Sequence, residues 1–128
     1  MDDSPQISVI VPVHNNAAHI GRCIESLLQQ SLPRGQYEII VIDNNSTDET
    51  PEVIQHYPVT LLHEKEIQTS YAARNRGIQN ARGTLLAFTD SDCIADPRWL
   101  EEIISPFADP EIQAVRGLVQ SFEPGTLV

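Results

Sequence analysis

Ile7-Ser8-Val9-Ile10-Val11-Pro12-Val13 is β-branched and almost continuously apolar. A strand wetted on one face alternates apolar and polar residues; a run without alternation fits a strand covered on both faces, as in a parallel sheet. Tyr37 to Ile42 repeats the pattern. Between them, the polar break His14-Asn15-Asn16 is followed by Ile20, Cys23, Ile24, Leu27 and Leu28 at helical spacing. Ser31 to Gln36, with Pro33 and Gly35, reads as a loop.

Outward from this βαβ core the alternation continues. Ser46 and Glu49 read as a capping box for a helix that runs to about His56, with Pro51 near its first turn. Val59–Leu62 reads as a third strand, Ser70–Ala81 as a helix with a weak apolar stripe, and Gly83 as its C-terminal glycine. Thr84–Phe88 reads as a fourth strand. Asp96 and Pro97 fit the N-cap and first position of a helix that carries Leu100, Ile103, Ile104 and Phe107 inward, and Gln113–Val119 reads as a fifth strand. The predicted fold is α/β: an open, mostly parallel, Rossmann-like sheet flanked by helices, with right-handed crossovers.

The chain has 128 residues, which predicts a single domain over 1–128. Eighteen acidic residues against eight basic ones give a formal charge of −10. That argues against nucleic acid as a partner, since such a surface needs clustered Lys and Arg. Lys65 is the only Lys, so an anionic ligand must be held by a few Arg, by backbone N–H groups or by a metal ion. Cys23 and Cys93 are too few and too far apart in sequence for a disulfide framework. The acidic start Met-Asp-Asp-Ser-Pro does not read as a signal peptide, and no apolar run reaches the ~18 residues of a spanning helix. The expected location is cytoplasmic, with any membrane association carried by parts outside this chain.

Open α/β sheets bind ligands beyond the carboxyl ends of their strands. Three polar clusters fall there: Pro12-Val13-His14-Asn15, Asp43-Asn44-Asn45-Ser46 and Asp90-Ser91-Asp92. Asp90 and Asp92 repel one another unless a cation lies between them, and a hard divalent ion such as Mg²⁺ or Mn²⁺ suits two carboxylates. The same pair is also ordinary loop chemistry. Asp43 could accept from a nucleobase N–H or a ribose hydroxyl, or simply close an Asx turn. His14 could stack on a base or be a solvated turn residue. Arg74 could reach a base or a diphosphate, or be a surface arginine; Arg76 faces the same choice from elsewhere around the helix. Cys93 reads as a small core or loop thiol rather than a nucleophile. The dinucleotide fingerprint, the P-loop and the Gly-x-Ser-x-Gly elbow do not occur in this sequence.

Four stretches, in order, resemble the N-terminal nucleotide-binding half of the family 2 glycosyltransferases, which have the GT-A fold. They are Ile7–Asn15, Val41–Thr50, Ala73-Arg-Asn-Arg-Gly77 with Ala81-Arg-Gly83, and Phe88-Thr-Asp-Ser-Asp92 followed by Asp96–Leu100. The resemblance implies a nucleotide-diphospho-sugar donor and inverting, metal-dependent transfer to an acceptor hydroxyl on a saccharide, lipid or protein. It would place Pro12 and His14 in the base pocket, Asp43 at the base or ribose, and Arg74 at the base or diphosphate. Asp90 would lie near the ribose and metal, and Asp92 would ligate Mg²⁺ or Mn²⁺ in a DXD motif.

Asn16 stands where the family often has an acidic residue, and no motif marks Glu123 as the family's downstream general base. The expectation is a donor-binding portion that stops before the acceptor-binding part and turns over slowly. The family also places a later antiparallel strand beside the fourth one; an open edge there would favour a homodimer. Two alternatives stay open: a non-catalytic nucleotide-binding fragment or interaction module of the same fold, and an unrelated doubly wound protein such as a phospho-acceptor domain. The second needs a Lys at a late strand end, and Lys65 does not lie at one.

Overall fold

A computed structural model describes residues 4–115. Its four strands are β1 (Ile7–Val13), β2 (Tyr37–Asp43), β3 (Thr60–His63) and β4 (Leu85–Phe88). They form one sheet in the order β3-β2-β1-β4, and every pairing is parallel. The helices are α1 (Ile20–Leu28), α2 (Thr50–Gln55), α3 (Ser70–Asn80) and α4 (Trp99–Ile104), with short 3-10 turns at Arg34–Gln36 and Ser105–Ala108. The expected open α/β sheet is what forms.

β1 and β2 are central, which is why their sequences read as unbroken apolar runs. Ile7, Val9, Val11 and Val13 join Ile39 and Val41 against Ile20, Cys23, Ile24 and Leu27 of α1, Ile54 of α2 and Leu100 of α4. Ile10, Ile40 and Ile42 cover the opposite face with Ala73 of α3. Each fully buried Ile or Leu contributes roughly 1.5–3 kcal/mol. The weak apolar stripe of α3 has a steric reason. The helix lies on the sheet through Ala72, Ala73 and Gly77, and a Cβ at Gly77 would come within 2.8 Å of Ile10 and Ile42 side chains.

Pro12 limits the sheet. The carbonyl of Ile10 accepts from Thr89 on the β4 side, so Pro12, two residues on, turns its missing N–H toward the same side. The β1–β4 ladder has already ended there, at Ile10 opposite Phe88. A proline is tolerated in an inner strand only where no ladder partner waits.

Several local expectations are corrected. Ser46 and Glu49 do not form a capping box: the Ser46 hydroxyl accepts from the Asn15 N–H at 2.8 Å, and α2 starts at Thr50, whose N–H donates to Asp48 at 2.9 Å. Gly83 is no left-handed helix cap, because α3 ends at Asn80 with Ala81 as its cap. Gly83 is there because a Cβ would meet the backbone of Ile7 and Ser8 at 2.7 Å. α4 begins two residues later than Asp96 and Pro97 suggest, at Trp99, with the Asp96 carboxylate accepting from the Arg98 N–H. Of the expected fifth strand, Gln113–Val115 are described and form no strand, while 116–119 lie outside the described residues.

Candidate nucleotide-sugar site

Chain order runs from β1 to β2 to β3 on one side of the sheet, then crosses to β4 on the other. The loops after β1 and β4 therefore diverge at a topological switch point, where such sheets open a crevice.

Four links join the loops at this edge. The His14 ring nitrogen Nδ1 donates to the Asn44 carbonyl at 2.6 Å. The Asn16 side-chain amide donates to the Ser91 hydroxyl at 2.8 Å. Asp43 pairs with His63 in the ladder, and their side chains lie 3.8 Å apart. Arg74 reaches from α3 to within 3.8 Å of the Asp90 carboxylate. The strand-end loops carrying His14, Asp90 and Asp92, the end of β2 at Asp43 and Arg74 of α3 are thus brought to one rim. Pro12 lies just beneath it, buried in β1.

The loops after β1 and β2 are built by asparagines. Asn15 and Asn45 have positive φ angles of 47° and 58°, a region that asparagine tolerates better than most residues. The Asn15 side-chain oxygen Oδ1 accepts from the Thr47 and Asp48 N–H groups at 2.7 and 3.3 Å. Asn44 is buried; its N–H donates to the Val13 carbonyl and its side chain to the Thr69 carbonyl. That residue locks the ends of β1 and β2 to the start of α3.

Asp43 is only 3% exposed. One oxygen, Oδ2, lies 3.4 Å from the Ser46 N–H and faces His63. The other, Oδ1, is buried with no hydrogen-bond partner. A buried acceptor left short of a donor is costly, and a carboxylate more so than a neutral group. A contact to the Ser46 N–H, three residues on rather than the two of an Asx turn, and an unpaired acceptor thus coexist in one side chain.

At the other end of the rim, Asp90 and Asp92 are both exposed. Their oxygens and the Cys93 sulfur lie within 4.8 Å of one another. Two exposed carboxylates at this separation are a donor set that fits a hard divalent ion. The loop is held from below by Cys23, whose thiol donates to the Asp90 carbonyl at 3.5 Å. Burial first, then the neighbouring Cys93, Asp92 and Asp90, push the Cys23 thiol up to about 12, so it remains a neutral structural group.

Arg76 donates to the buried Glu64 at 3.3 Å. Glu64 also accepts from the backbone of Glu66 and Ile67. These N–H groups, followed by Arg76, hold its carboxyl below the usual range despite burial. Sequence reasoning gave no role to Asn44 and Ser91, although both lie inside the polar strand-end clusters, and noted Asn16 only as a departure from the family pattern. It missed His63 and Gln68, which carried no local signal.

The chain is similar to proteins of known type. The family model for glycosyl transferase family 2 matches residues 8–127. Glycosyltransferase AglE of Haloferax volcanii is 38% identical over 125 residues, covering 94% of this chain and 41% of that protein. Validoxylamine A glucosyltransferase of Streptomyces hygroscopicus subsp. jinggangensis is 30% identical over 126 residues, covering 94% and 30%. Among solved structures, the mannosyltransferase PcManGT of Pyrobaculum calidifontis, in complex with GDP-Man and Mn²⁺, superposes with a TM-score of 0.79 at 30% identity. It covers 91% of this chain and 35% of that one. TarS 1-349 of S. aureus in complex with UDP-GlcNAc gives 0.70 at 28% identity, covering 91% and 37%. The chain spans less than half the length of these relatives. A parallel sheet whose strand-end loops gather these residues, and a match that runs through nearly the whole sequence, place the chain in glycosyl transferase family 2.

Proposed function

We propose that this chain binds the donor of an inverting, metal-dependent glycosyltransferase: a nucleoside diphosphate linked to a sugar. The observation that carries the reading is the single rim, with an unpartnered buried carboxylate oxygen on Asp43 near one end and the exposed pair Asp90 and Asp92 at the other. His14 offers a flat ring to the base, and Asp43 an acceptor to a base N–H. Uracil, thymine and guanine carry an imino N–H and cytosine does not, so CDP is the poorest ligand expected. Arg74 is half-exposed beside Asp90 and is the cation available to the diphosphate.

Asp90 and Asp92 would hold Mg²⁺ or Mn²⁺. When bound, the ion supplies positive charge against the diphosphate and so favours its departure. The relative solved with GDP-Man and Mn²⁺ supports this pairing of ligand and ion. The acceptor and the general base belong to the whole protein's activity, and no residue here is assigned to either. β4 pairs only with β1 among the described residues, and Leu86 and Phe88 on it are 39% and 45% exposed. That edge supports a homodimer; a monomer by light scattering at high concentration contradicts it.

The test of the donor reading is calorimetric titration with UDP, GDP, TDP and CDP, each with and without Mn²⁺. The expected result is Mn²⁺-enhanced binding with CDP last. Binding of none of them contradicts it.

A further inference from the structure

The edge of the His14 ring is fully used by the protein. Nδ1 faces the Asn44 carbonyl at 2.6 Å, and a carbonyl only accepts, so the proton is on Nδ1. Nε2 faces the side-chain amide nitrogens of Gln68 at 3.2 Å and Asn15 at 3.4 Å, and these only donate. This set of partners fits the Nδ1–H tautomer, held by groups from three loops. We infer that Gln68 is a positioning residue of the donor site: with Asn44 it fixes the His14 ring, so that His14 meets a base through its face alone.

Two consequences follow from the chemistry. A face has no donor or acceptor pattern to read, so His14 adds to the binding of every base about equally. Selectivity is then left to Asp43. Gln68 lies in the segment between β3 and α3, which Asn44 and Glu64 also anchor, so that segment is part of the base platform. This inference rests on the donor reading for its effect on binding, but not for the tautomer.

The test has two arms on the same 128-residue chain. First, nitrogen-15 NMR of the histidine rings without ligand, assigned with His14→Ala, is expected to show Nδ1 protonated and Nε2 bare. A proton on Nε2 overturns the inference. Second, a double-mutant cycle uses Gln68→Met, which keeps size and loses the donor, and His14→Ala. Both sites are exposed, and a melting curve checks that both variants fold. Gln68→Met is expected to weaken UDP and GDP alike by about fivefold, and to have no further effect when combined with His14→Ala. No loss in the single variant, or the same loss on top of His14→Ala, overturns it. If no nucleotide binds the unmodified chain, the donor reading fails, and the tautomer result judges the geometry separately.

Discussion

Asn16 and Ser91 stand 75 residues apart in sequence, yet the Asn16 amide donates to the Ser91 hydroxyl at 2.8 Å. That bond crosses the switch point of the sheet and ties the loop after β1 to the middle of Asp90-Ser91-Asp92. Asn16 stands where the family resemblance implies an acid; here its amide is the donor and the Ser91 hydroxyl the acceptor.

Removing this bond loosens the acidic loop while leaving the base end alone. Asn16→Ala is expected to lower the Mn²⁺-dependent part of UDP binding about fivefold and to leave metal-free binding unchanged, as calorimetry would show. An equal loss in both would place Asn16 elsewhere in the energetics.

Asp92→Ala removes one of two carboxylates from the candidate ion site. The expected outcome is loss of the Mn²⁺-dependent increment, with metal-free UDP affinity kept or slightly raised as one negative charge leaves the diphosphate end. The check is the same titration with and without the ion.

Asp43→Asn keeps the shape of the side chain and removes its charge. Hydrogen bonds to charged groups are worth about 1.5–3 kcal/mol, so UDP binding should weaken by roughly 10- to 100-fold. CDP, which brings no imino N–H, should change far less, so the ratio of the two affinities is the quantity to measure.

Gly83→Ala drives a Cβ onto the backbone of Ile7 and Ser8 at 2.7 Å, where nothing flexible can yield. A loss of about 1–3 kcal/mol or more is expected in urea unfolding. Gly35→Ala meets nothing within 4 Å and should be close to neutral.

Acid should unfold the chain through two tied carboxylates. Burial pushes Glu38 up, but the Ser8 hydroxyl and the Arg82 N–H and guanidinium outweigh it and hold it low. Glu64 is held low as well. Both folded values lie below the unfolded one, so this stability is complete above the ordinary Glu value of about 4.3 and is lost as pH falls through the lower folded values. The melting temperature should fall steeply below about pH 4, and less steeply in Glu38→Gln.

What could be read in the sequence follows from what is local. β1 and β2 are legible because both faces are covered, and α1 because its stripe packs on one layer. β3 and β4 are four residues each at the sheet edges, so their bounds shift by a residue. The capping box failed because Ser46 was claimed by Asn15, 31 positions away. Strand ends pointed to His14, Asp43, Asp90 and Asp92. Gln68 and His63 join them only through contacts between distant loops, which no spacing encodes.

One measurement bears most directly on the shared rim: Mn²⁺ broadening of backbone amide signals, first alone and then with UDP. The account predicts broadening centred on Asp90 to Cys93 that UDP strengthens, together with shifts at His14 and Asp43. Broadening centred on Glu101, Glu102 or Asp109, with His14 and Asp43 unmoved by UDP, would contradict it.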